Sequence, residues 1–204
     1  MNFTHGYIKQ KVWRMTEEER DMEHKGTKRL ETDRLILRRY TETDAELMYA
    51  NWASDPEVSK YVTWPTHSSV EVTKELVTDW ISRYEKPDYY NWVIELKENG
   101  EVIGNIAGVE VVEKIEAVEI GYCMGKAWWG RGIMPEALTE VMRYLFDEVG
   151  MNRVYAGHDA NNPKSGRVMQ KAGMKYEGIL RGGGRNNQGI IDVVRYGLLK
   201  ADRA

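Results

Sequence analysis

The sequence has little of what several classes of protein require. It contains one cysteine, Cys123, which excludes an internal disulfide and a cysteine-rich zinc site and favours a reducing compartment. No apolar run approaches the ~20 residues that span a bilayer, so a membrane partner is not expected. Residues 1–26 lack the apolar core and the small-residue cleavage site of a signal peptide. We therefore predict a cytoplasmic protein.

The chain also lacks an excess of positive charge. Its 29 Lys and Arg are outnumbered by 32 Asp and Glu, which gives a net charge of −3. Proteins that bind nucleic acid as their main partner usually carry a basic surface, so no nucleic acid is expected here. Hydrophobic residues make up 42% and charged residues 30%, which is typical of a globular domain rather than a disordered chain.

Two segments of the chain differ in composition. Residues 1–29 are rich in charge and poor in aliphatic side chains, which predicts an extension that is partly helical or disordered, with a short helix around Thr16 to His24. Residues 30–204 carry regular apolar patterns and predict one domain. These patterns predict strands over 34–39, 90–96, 101–109, 117–124, 153–158, 174–181 and 190–199. They also predict helices that begin near Thr43, Ser69 and Pro135, and a short helix from Pro163 to Lys171. The order predicts an α/β (α+β) domain with a single mixed, mostly antiparallel sheet flanked by helices.

The stretch MGKAWWGRGIMPEALTEVM, residues 124–142, places two glycines before a helix start. Glycine permits a positive φ and a close approach of the backbone, and a helix start presents unpaired N–H groups that bind anions, above all phosphates. Arg131 adds a charged donor between Gly130 and Gly132, and Pro135 suits the first helical turn. The stretch is therefore either a tight turn or a cradle for a pyrophosphate.

Two common phosphate-binding motifs do not fit this stretch. A Walker A loop requires Gly-Lys-Ser or Gly-Lys-Thr, and neither tripeptide occurs in the sequence. The Rossmann fingerprint requires a third glycine where this chain has Pro135, and it belongs to a first βαβ unit. The elements predicted before residue 124 form a meander instead.

Five motifs in a fixed order resemble the GCN5-related N-acetyltransferase (GNAT) family, and in particular its ribosomal-protein-alanine N-acetyltransferase (RimJ/RimL-like) branch. They are LETDRLILRRY, EIGYCM, WWGRGIMPEAL, NNPKSGRVMQKAGMKYEGILRGG and IIDVVRYGLL, and the resemblance runs from Leu30 to Asp202. It implies the GNAT fold, with a sheet that is splayed at the cofactor site. It also implies the direct transfer of an acetyl group from acetyl-CoA to an amine, without a metal.

The resemblance also implies which residues hold the cofactor. The family loop, Gln/Arg-x-x-Gly-x-Gly/Ala, matches the segment from Trp129 to Met134, and both of these end residues depart from the pattern. The pyrophosphate is expected on backbone N–H groups, and the pantetheine arm is expected along a splayed strand. Asn162 and Ser165 match the branch's Asn-x-x-Ser at the thiol end. The expected cofactor contacts are Tyr122, Cys123, Met124, Gly130, Arg131, Gly132, Ile133, Met134, Asn162 and Ser165.

The transfer requires one group that takes a proton from the amine and one that serves the leaving thiolate. Many family members carry a tyrosine four residues after the Ser165 position, where this chain has Met169, and in this branch the resemblance implies Ser165 instead. Glu119 is the first candidate for the base, with His158 and Asp159 as further candidates. Each of these has a structural alternative, since a strand carboxylate is often ion-paired and serine often caps a helix.

The motifs leave the acceptor open. Tyr61 and Trp64 follow the first predicted helix, where the resemblance places the acceptor groove, and they are the candidate substrate contacts. The acceptor is an amine such as a protein N-terminus, or alternatively a small molecule or an antibiotic. Met134 and Met169 also leave open a non-catalytic acyl-CoA-binding module, and a nucleotide-binding regulatory domain is a third hypothesis. The chain is expected to be a monomer or a homodimer.

Overall fold

Eight strands form a single mixed sheet in the order β1-β2-β3-β4-β5-β6-β8-β7. The computed structural model describes residues 22–203. The strands are β1 (Leu30–Glu31), β2 (Leu35–Arg38), β3 (Asn91–Leu96), β4 (Val102–Val112), β5 (Ala117–Met124), β6 (Arg153–Asp159), β7 (Lys175–Asn186) and β8 (Gly189–Leu199). The helices are α1 (Asp44–Met48), α2 (Pro56–Ser59), α3 (Val70–Arg83), α4 (Ile133–Tyr144) and α5 (Pro163–Lys171). The predicted α/β architecture with a mixed, mostly antiparallel sheet is confirmed.

Helices cover both faces of the sheet and enclose two apolar clusters. The first cluster contains Leu138 of α4 and Ile120 of β5. The second contains Val77 of α3 and Cys123 of β5. Because successive side chains of a strand point to opposite faces, the even-numbered residues of β5 face α4 and α5, and the odd-numbered residues face α1 and α3. We call these two sides the α4–α5 face and the α1–α3 face.

Helix α4 fixes the position of the glycine-containing loop that precedes it. Its apolar side chains recur at helical spacing, so that one broad side of the helix is buried against the sheet. A π-helical turn, Leu145–Val149, continues the helix, and Gly150 ends it in the left-handed conformation with φ of 85°. The anchored helix holds its own start beside the end of β5.

A gap opens in the middle of the sheet between β5 and β6. These two strands pair in parallel at three positions, and the last pair joins Glu119 to Tyr155. Strand β5 follows β4 as far as Met124, whereas β6 follows β8 as far as Asp159. Beyond their last shared pair the two strands therefore diverge, and the splayed sheet that the family resemblance implies is present.

The sequence patterns predicted some element boundaries and missed others. The bounds of β5 and α5 are as predicted. The prediction was wrong to omit β1 and α2, which are too short to show a periodic pattern. It was also wrong to end the last hairpin's first strand at Arg181, because β7 continues through Gly182 to Gly184 with a shift in its pairing to β8. Residues 16–21 of the helix predicted around Thr16 to His24 lie outside the described residues, and residues 22–24 are not helical.

Residues 23–28 are bound to the rest of the domain. The backbone N–H of Gly26 donates to the Pro87 carbonyl at 2.7 Å, and the Tyr144 hydroxyl donates to the Gly26 carbonyl at 2.7 Å. Trp92 Nε1 donates to the Lys28 carbonyl at 2.6 Å. The domain boundary predicted between residues 29 and 30 stays a prediction. Among the helices of the described chain, none has the length and apolar character needed to cross a membrane.

Candidate active site

Two glycines in the left-handed region shape the loop before α4. Gly130 has φ of 79° and Gly132 has φ of 75°. A Cβ on Gly130 would meet no atom within 4 Å, and the nearest atom to one on Gly132 is Arg34 Nη2 at 3.8 Å, so the loop borders open space. The exposed Arg131 lies between them. The N–H of Glu136 donates to the Gly132 carbonyl at 3.3 Å, which is the first hydrogen bond of helix α4. The N–H groups before Glu136 are therefore available to an anion such as a pyrophosphate.

The side chains at the start of α4 leave this loop open. Ile133 and Met134 are each 3% exposed and pack into the first apolar cluster, so the family departure at Met134 adds no bulk to the loop. The carboxylate of Glu136 accepts bonds from Thr32 Oγ1 at 2.5 Å and from Arg34 Nε at 2.7 Å. Burial alone would raise the pKa of Glu136, but the bonds from Thr32 and Arg34 outweigh burial and lower that pKa. The acidic side chain in the first turn is thus neutralised locally.

The end of β5 offers a backbone edge beside the loop. Tyr122, Cys123 and Met124 lie on the diverging part of β5, where no paired position with β6 occurs within the described chain. Such an edge suits the amides of a pantetheine arm, which pair with a backbone as a strand does. Trp129 Nε1 donates to the Met124 carbonyl at 2.8 Å, and Lys164 Nζ lies 5.1 Å from the centre of the Trp129 ring. The side chain of Trp129 therefore connects the end of β5 to the start of α5.

The start of α5 brings a hydroxyl pair to the gap. Asn162 occupies the position before the helix, and its side chain makes no capping bond. The Tyr122 hydroxyl lies 2.9 Å from Ser165 Oγ and donates to the Ser165 carbonyl at 2.9 Å. Met169 is 1% exposed and belongs to the first apolar cluster. The hydroxyl that many family members carry at the Met169 position is absent, whereas Tyr122 supplies one from the opposite side of the gap.

Glu119 lies on the α1–α3 face at the point where β5 and β6 diverge. Its carboxylate forms an ion pair with the guanidinium of Arg195 on β8. The Arg195 side chain passes over β6 at Gly157, where a Cβ would stand 3.0 Å from Arg195 Nη1. A glycine within a strand often marks such a close approach. Gly157 therefore provides the space through which Arg195 reaches Glu119.

His158 is not brought together with Glu119. It shares its face of β6 with Ala156, which belongs to the first apolar cluster, so its ring lies on the α4–α5 face. His158 Nδ1 bonds to the Asp159 carbonyl at 2.7 Å, and the ring stacks on Tyr196 with centroids 5.9 Å apart. A Cβ on Gly166 would stand 2.5 Å from His158 Nε2, so that glycine admits the ring against α5.

The carboxylate of Asp159 accepts hydrogen bonds from two asparagines. It is 3% exposed, and its Oδ1 accepts bonds from Asn161 N at 2.8 Å and Asn161 Nδ2 at 3.1 Å. Its Oδ2 accepts from Asn186 Nδ2 at 2.8 Å. This buried carboxylate fixes the turn between β7 and β8 against the end of β6.

That turn and the loop after α2 join to form a wall on the α1–α3 face. Asn187 N donates to the Val62 carbonyl at 3.2 Å. Asn187 Nδ2 donates to the Ser59 carbonyl at 2.8 Å and to the Trp64 carbonyl at 2.7 Å. Tyr61, a candidate substrate contact, lies half-buried in the same loop. We call the segment 59–64 together with Asn187 the acceptor wall.

Cys123 has the properties of a core residue. It is 9% exposed and lies in the second apolar cluster. Burial raises the pKa of its thiol to about 12, against which a backbone bond at Met124 is a smaller, lowering influence. Since the thiolate is the nucleophilic form, this thiol is unsuited to covalent catalysis. Its expected contact with the cofactor is through the backbone.

Several residues of the site carry no local signal in the sequence. Arg195, Asn186 and Asn187 act through contacts with residues far away along the chain, and no local pattern marks them. The close approach at Gly157 was a detectable signal, because an isolated glycine inside a predicted strand calls for an explanation. Within residues 22–203, no three His, Cys, Asp or Glu side chains are grouped in a way that holds a metal ion.

Comparison with known proteins gives consistent matches. Residues 34–175 match the family model of the acetyltransferase (GNAT) domain. The uncharacterized N-acetyltransferase YoaA of Bacillus subtilis is 34% identical over 152 residues, which cover 74% of this chain and 85% of YoaA. The ribosomal protein uS5-alanine N-acetyltransferase of Escherichia coli is 28% identical over 162 residues, 75% of this chain and 81% of that protein. A solved structure of RimL, a ribosomal alpha-N-protein acetyltransferase in complex with coenzyme A, has a TM-score of 0.76 at 19% identity, covering 84% of this chain and 98% of RimL.

Proposed function

The chain belongs to the GNAT family of acetyltransferases and is an N-acetyltransferase, and we propose that it moves the acetyl group of acetyl-CoA to the α-amine of a protein or peptide N-terminus. The observation that carries this proposal is the gap between β5 and β6. The glycine loop and Ser165 border the gap on the α4–α5 face, and Glu119 borders it on the α1–α3 face. A donor held from one face and an amine that enters from the other meet inside the gap, which suits direct transfer.

We assign the two proton-handling roles to Glu119 and Ser165. The amine nitrogen attacks the acetyl carbon, the C–N bond forms, and the C–S bond breaks with its electron pair on sulfur. Glu119 takes a proton from the nitrogen directly or through one water, and Ser165 donates a hydrogen bond to the sulfur. The ion pair with Arg195 keeps the Glu119 carboxylate at the mouth of the gap.

The cofactor roles follow from the helix start. The backbone N–H groups of residues 130–134 are proposed to bind the pyrophosphate of acetyl-CoA, and the edge of β5 at Tyr122, Cys123 and Met124 is proposed to bind its pantetheine arm. Two features of the chain support this: the left-handed glycines at 130 and 132, and the open space above them. Binding at both ends positions the acetyl group near the gap and lowers the entropic part of the barrier.

The choice of a chain terminus as acceptor rests on the relatives and on the acceptor wall. The names of the uS5-alanine enzyme and of RimL describe acetyltransferases that act on ribosomal proteins. In this chain the acceptor wall is built from a loop and a turn rather than from a closed cavity. A border of this kind accommodates an extended chain end, with Tyr61 and Trp64 as the proposed contacts.

Acceptor choice is tested by measuring the release of thiol from acetyl-CoA with matched peptides. One peptide series carries the N-termini of ribosomal proteins with a free α-amine, a second carries the same sequences with that amine blocked, and a third arm contains polyamines and aminoglycosides. We expect turnover on free α-amines and none on the blocked peptides. Turnover confined to the small amines would replace our proposal with a small-molecule acetyltransferase.

The acceptor wall gives a separate prediction. In Asn187→Asp the side chain keeps its shape but loses the amide donors that bond the Ser59 and Trp64 carbonyls. Leaving two carbonyls without their donor costs on the order of 1–3 kcal/mol, so the wall opens and the KM for the peptide rises about 10-fold. The KM for acetyl-CoA is expected to change less than about 2-fold, because the cofactor contacts lie on the other face.

Asn99→Asp is the matched control for this variant. Asn99 lies in the exposed turn between β3 and β4, where among residues 22–203 its side chain bonds only to Glu101. It undergoes the same chemical change without touching the acceptor wall, so both KM values should stay at the wild-type level. Equal KM values for Asn187→Asp and the wild-type enzyme would show that the wall takes no part in binding the acceptor.

A further inference from the structure

The hydroxyl of Tyr122, on β5, reaches Ser165 at the start of α5, beside the gap between β5 and β6. We propose that Tyr122 is a positioning residue, which orients the Ser165 hydroxyl so that it donates a hydrogen bond to the departing sulfur of CoA. The inference rests on the proposed function, in which Ser165 faces the thiol end of the cofactor. It goes beyond that function by giving the side chain of Tyr122 a role, whereas the sequence predicted only that the backbone of Tyr122 binds the pantetheine arm.

The geometry places Tyr122 at the right position for this task. The residue lies on β5 beyond the last pair with β6, and it has an even number, so its side chain extends over the α4–α5 face. Its hydroxyl lies 2.9 Å from both Ser165 Oγ and the Ser165 carbonyl. Within the described part of the chain, the Ser165 hydroxyl has no other side-chain partner. Tyr122 therefore decides where the Ser165 proton points.

The chemistry of the two hydroxyls explains how the orientation works. A serine hydroxyl offers one proton and two acceptor sites. The phenol has a single proton, and its two acceptors, the Ser165 carbonyl and Ser165 Oγ, each 2.9 Å away, share that proton in a three-centre bond. Because Ser165 Oγ accepts in this arrangement, the proton of Ser165 points away from Tyr122 and into the gap. Burial raises the pKa of the Tyr122 phenol more than its bond to Ser165 lowers it, so the phenol stays protonated and able to donate.

The step balances without ionising Tyr122. The C–S bond breaks, its electron pair moves to sulfur, and the thiolate is stabilised by the hydrogen bond from Ser165 as it leaves. The proton lost by the amine passes to Glu119 and then to water, and the released thiolate takes its proton from water. Tyr122 and Ser165 end the cycle as they began it. Their contribution is orientation, which a neutral pair of hydroxyls supplies.

The test is a double-mutant cycle with Tyr122→Phe, Ser165→Ala and the double variant, measured on the amine that the wild-type enzyme turns over best. Ser165→Ala is expected to lower kcat about 100-fold, since it removes a donor to developing charge. Tyr122→Phe is expected to lower kcat about 10-fold, which is the order of one lost hydrogen bond. If Tyr122 acts only through Ser165, the double variant has the kcat of Ser165→Ala within about 2-fold. The loss is expected in kcat more than in the KM for acetyl-CoA, because the bond from Ser165 strengthens only as negative charge develops on the departing sulfur.

A control separates positioning from a loss of structure. Tyr144→Phe removes another buried phenol, which bonds the Gly26 carbonyl away from the gap, and it should lower the melting temperature without lowering kcat. Two outcomes overturn the proposal: a double variant about 10-fold slower than Ser165→Ala, or a Tyr122→Phe enzyme with the wild-type kcat. The rate of the wild-type enzyme on the chosen amine tests the proposed acceptor. The ratios of kcat between the variants test the role of Tyr122, so either proposal can fail while the other holds.

Discussion

Replacing Gly132 with valine is expected to weaken the binding of acetyl-CoA by at least about 100-fold. Gly132 has φ of 75°, where a β-branched residue is strained by roughly 1–3 kcal/mol. A valine that keeps this φ places its side chain in the open space above the loop. A valine that moves to a more favourable φ changes the loop and turns the N–H groups away from the phosphate. Losing one charge-assisted bond to a phosphate costs a further 1.5–3 kcal/mol or so. At the middle of both ranges the sum is about 4 kcal/mol, above the roughly 2.8 kcal/mol that corresponds to a 100-fold change.

Gly100→Val provides the matched control for backbone strain. Gly100 has φ of 73° in the turn between β3 and β4, and no atom lies within 4 Å of the Cβ that the substitution would add. The two variants should therefore lose similar stability, but only Gly132→Val should lose affinity in a calorimetric titration with CoA. Wild-type affinity in Gly132→Val would remove the glycine loop from the cofactor site.

Replacing Glu119 with glutamine is expected to lower kcat/KM by about 100- to 1000-fold, within the roughly 100- to 10,000-fold that general acid–base catalysis usually contributes. Glutamine has the same shape and still lies near Arg195, but it neither accepts a proton nor forms the ion pair. The fall should appear mainly in kcat, because the amine is still able to enter the gap. The pH profile of kcat/KM should also change, since the group that accepts the proton is gone.

Glu110→Gln is the control for the loss of a negative charge on the same face. Glu110 pairs in register with Glu119 across β4 and β5, and its contact with the Tyr155 hydroxyl is long, at 3.4 Å. We expect its kcat/KM to stay within about 2-fold of the wild-type value, since an exposed carboxylate that takes no proton from the amine contributes little. If kcat/KM and the pH profile of Glu119→Gln match the wild type, Glu119 is a structural ion-pair residue and the base lies elsewhere.

The sequence predicted the fold well where one face of an element is buried. Strand β5 and helix α5 have the predicted bounds, because alternation and helical spacing record which side chains meet the core. Strand β7 was cut short at Arg181, since three glycines in a row resemble a loop, whereas pairing with β8 carries the strand through them. Strand β1 depends on two pairs with β2 and has no pattern of its own.

The site could be predicted only in part, for a physical reason. The glycine loop is local, so its residues and their spacing predicted the left-handed turns at Gly130 and Gly132. The pairs of Glu119 with Arg195 and of Tyr122 with Ser165 join residues 76 and 43 positions apart. Such contacts depend on the order of strands in the sheet and on where β5 and β6 diverge, and the sequence carries no local record of either.

The most direct test of the whole mechanism is the release of thiol from acetyl-CoA as a function of amine concentration, with the acetylated product quantified by mass spectrometry. Direct transfer predicts one thiol released for each amine acetylated, saturation in both substrates, and no release beyond the buffer background when the amine is omitted. Binding of acetyl-CoA without release of thiol on any amine would contradict catalysis and leave an acyl-CoA-binding module. Thermal stabilisation by ATP or NAD, but not by acetyl-CoA, would contradict the cofactor assignment itself.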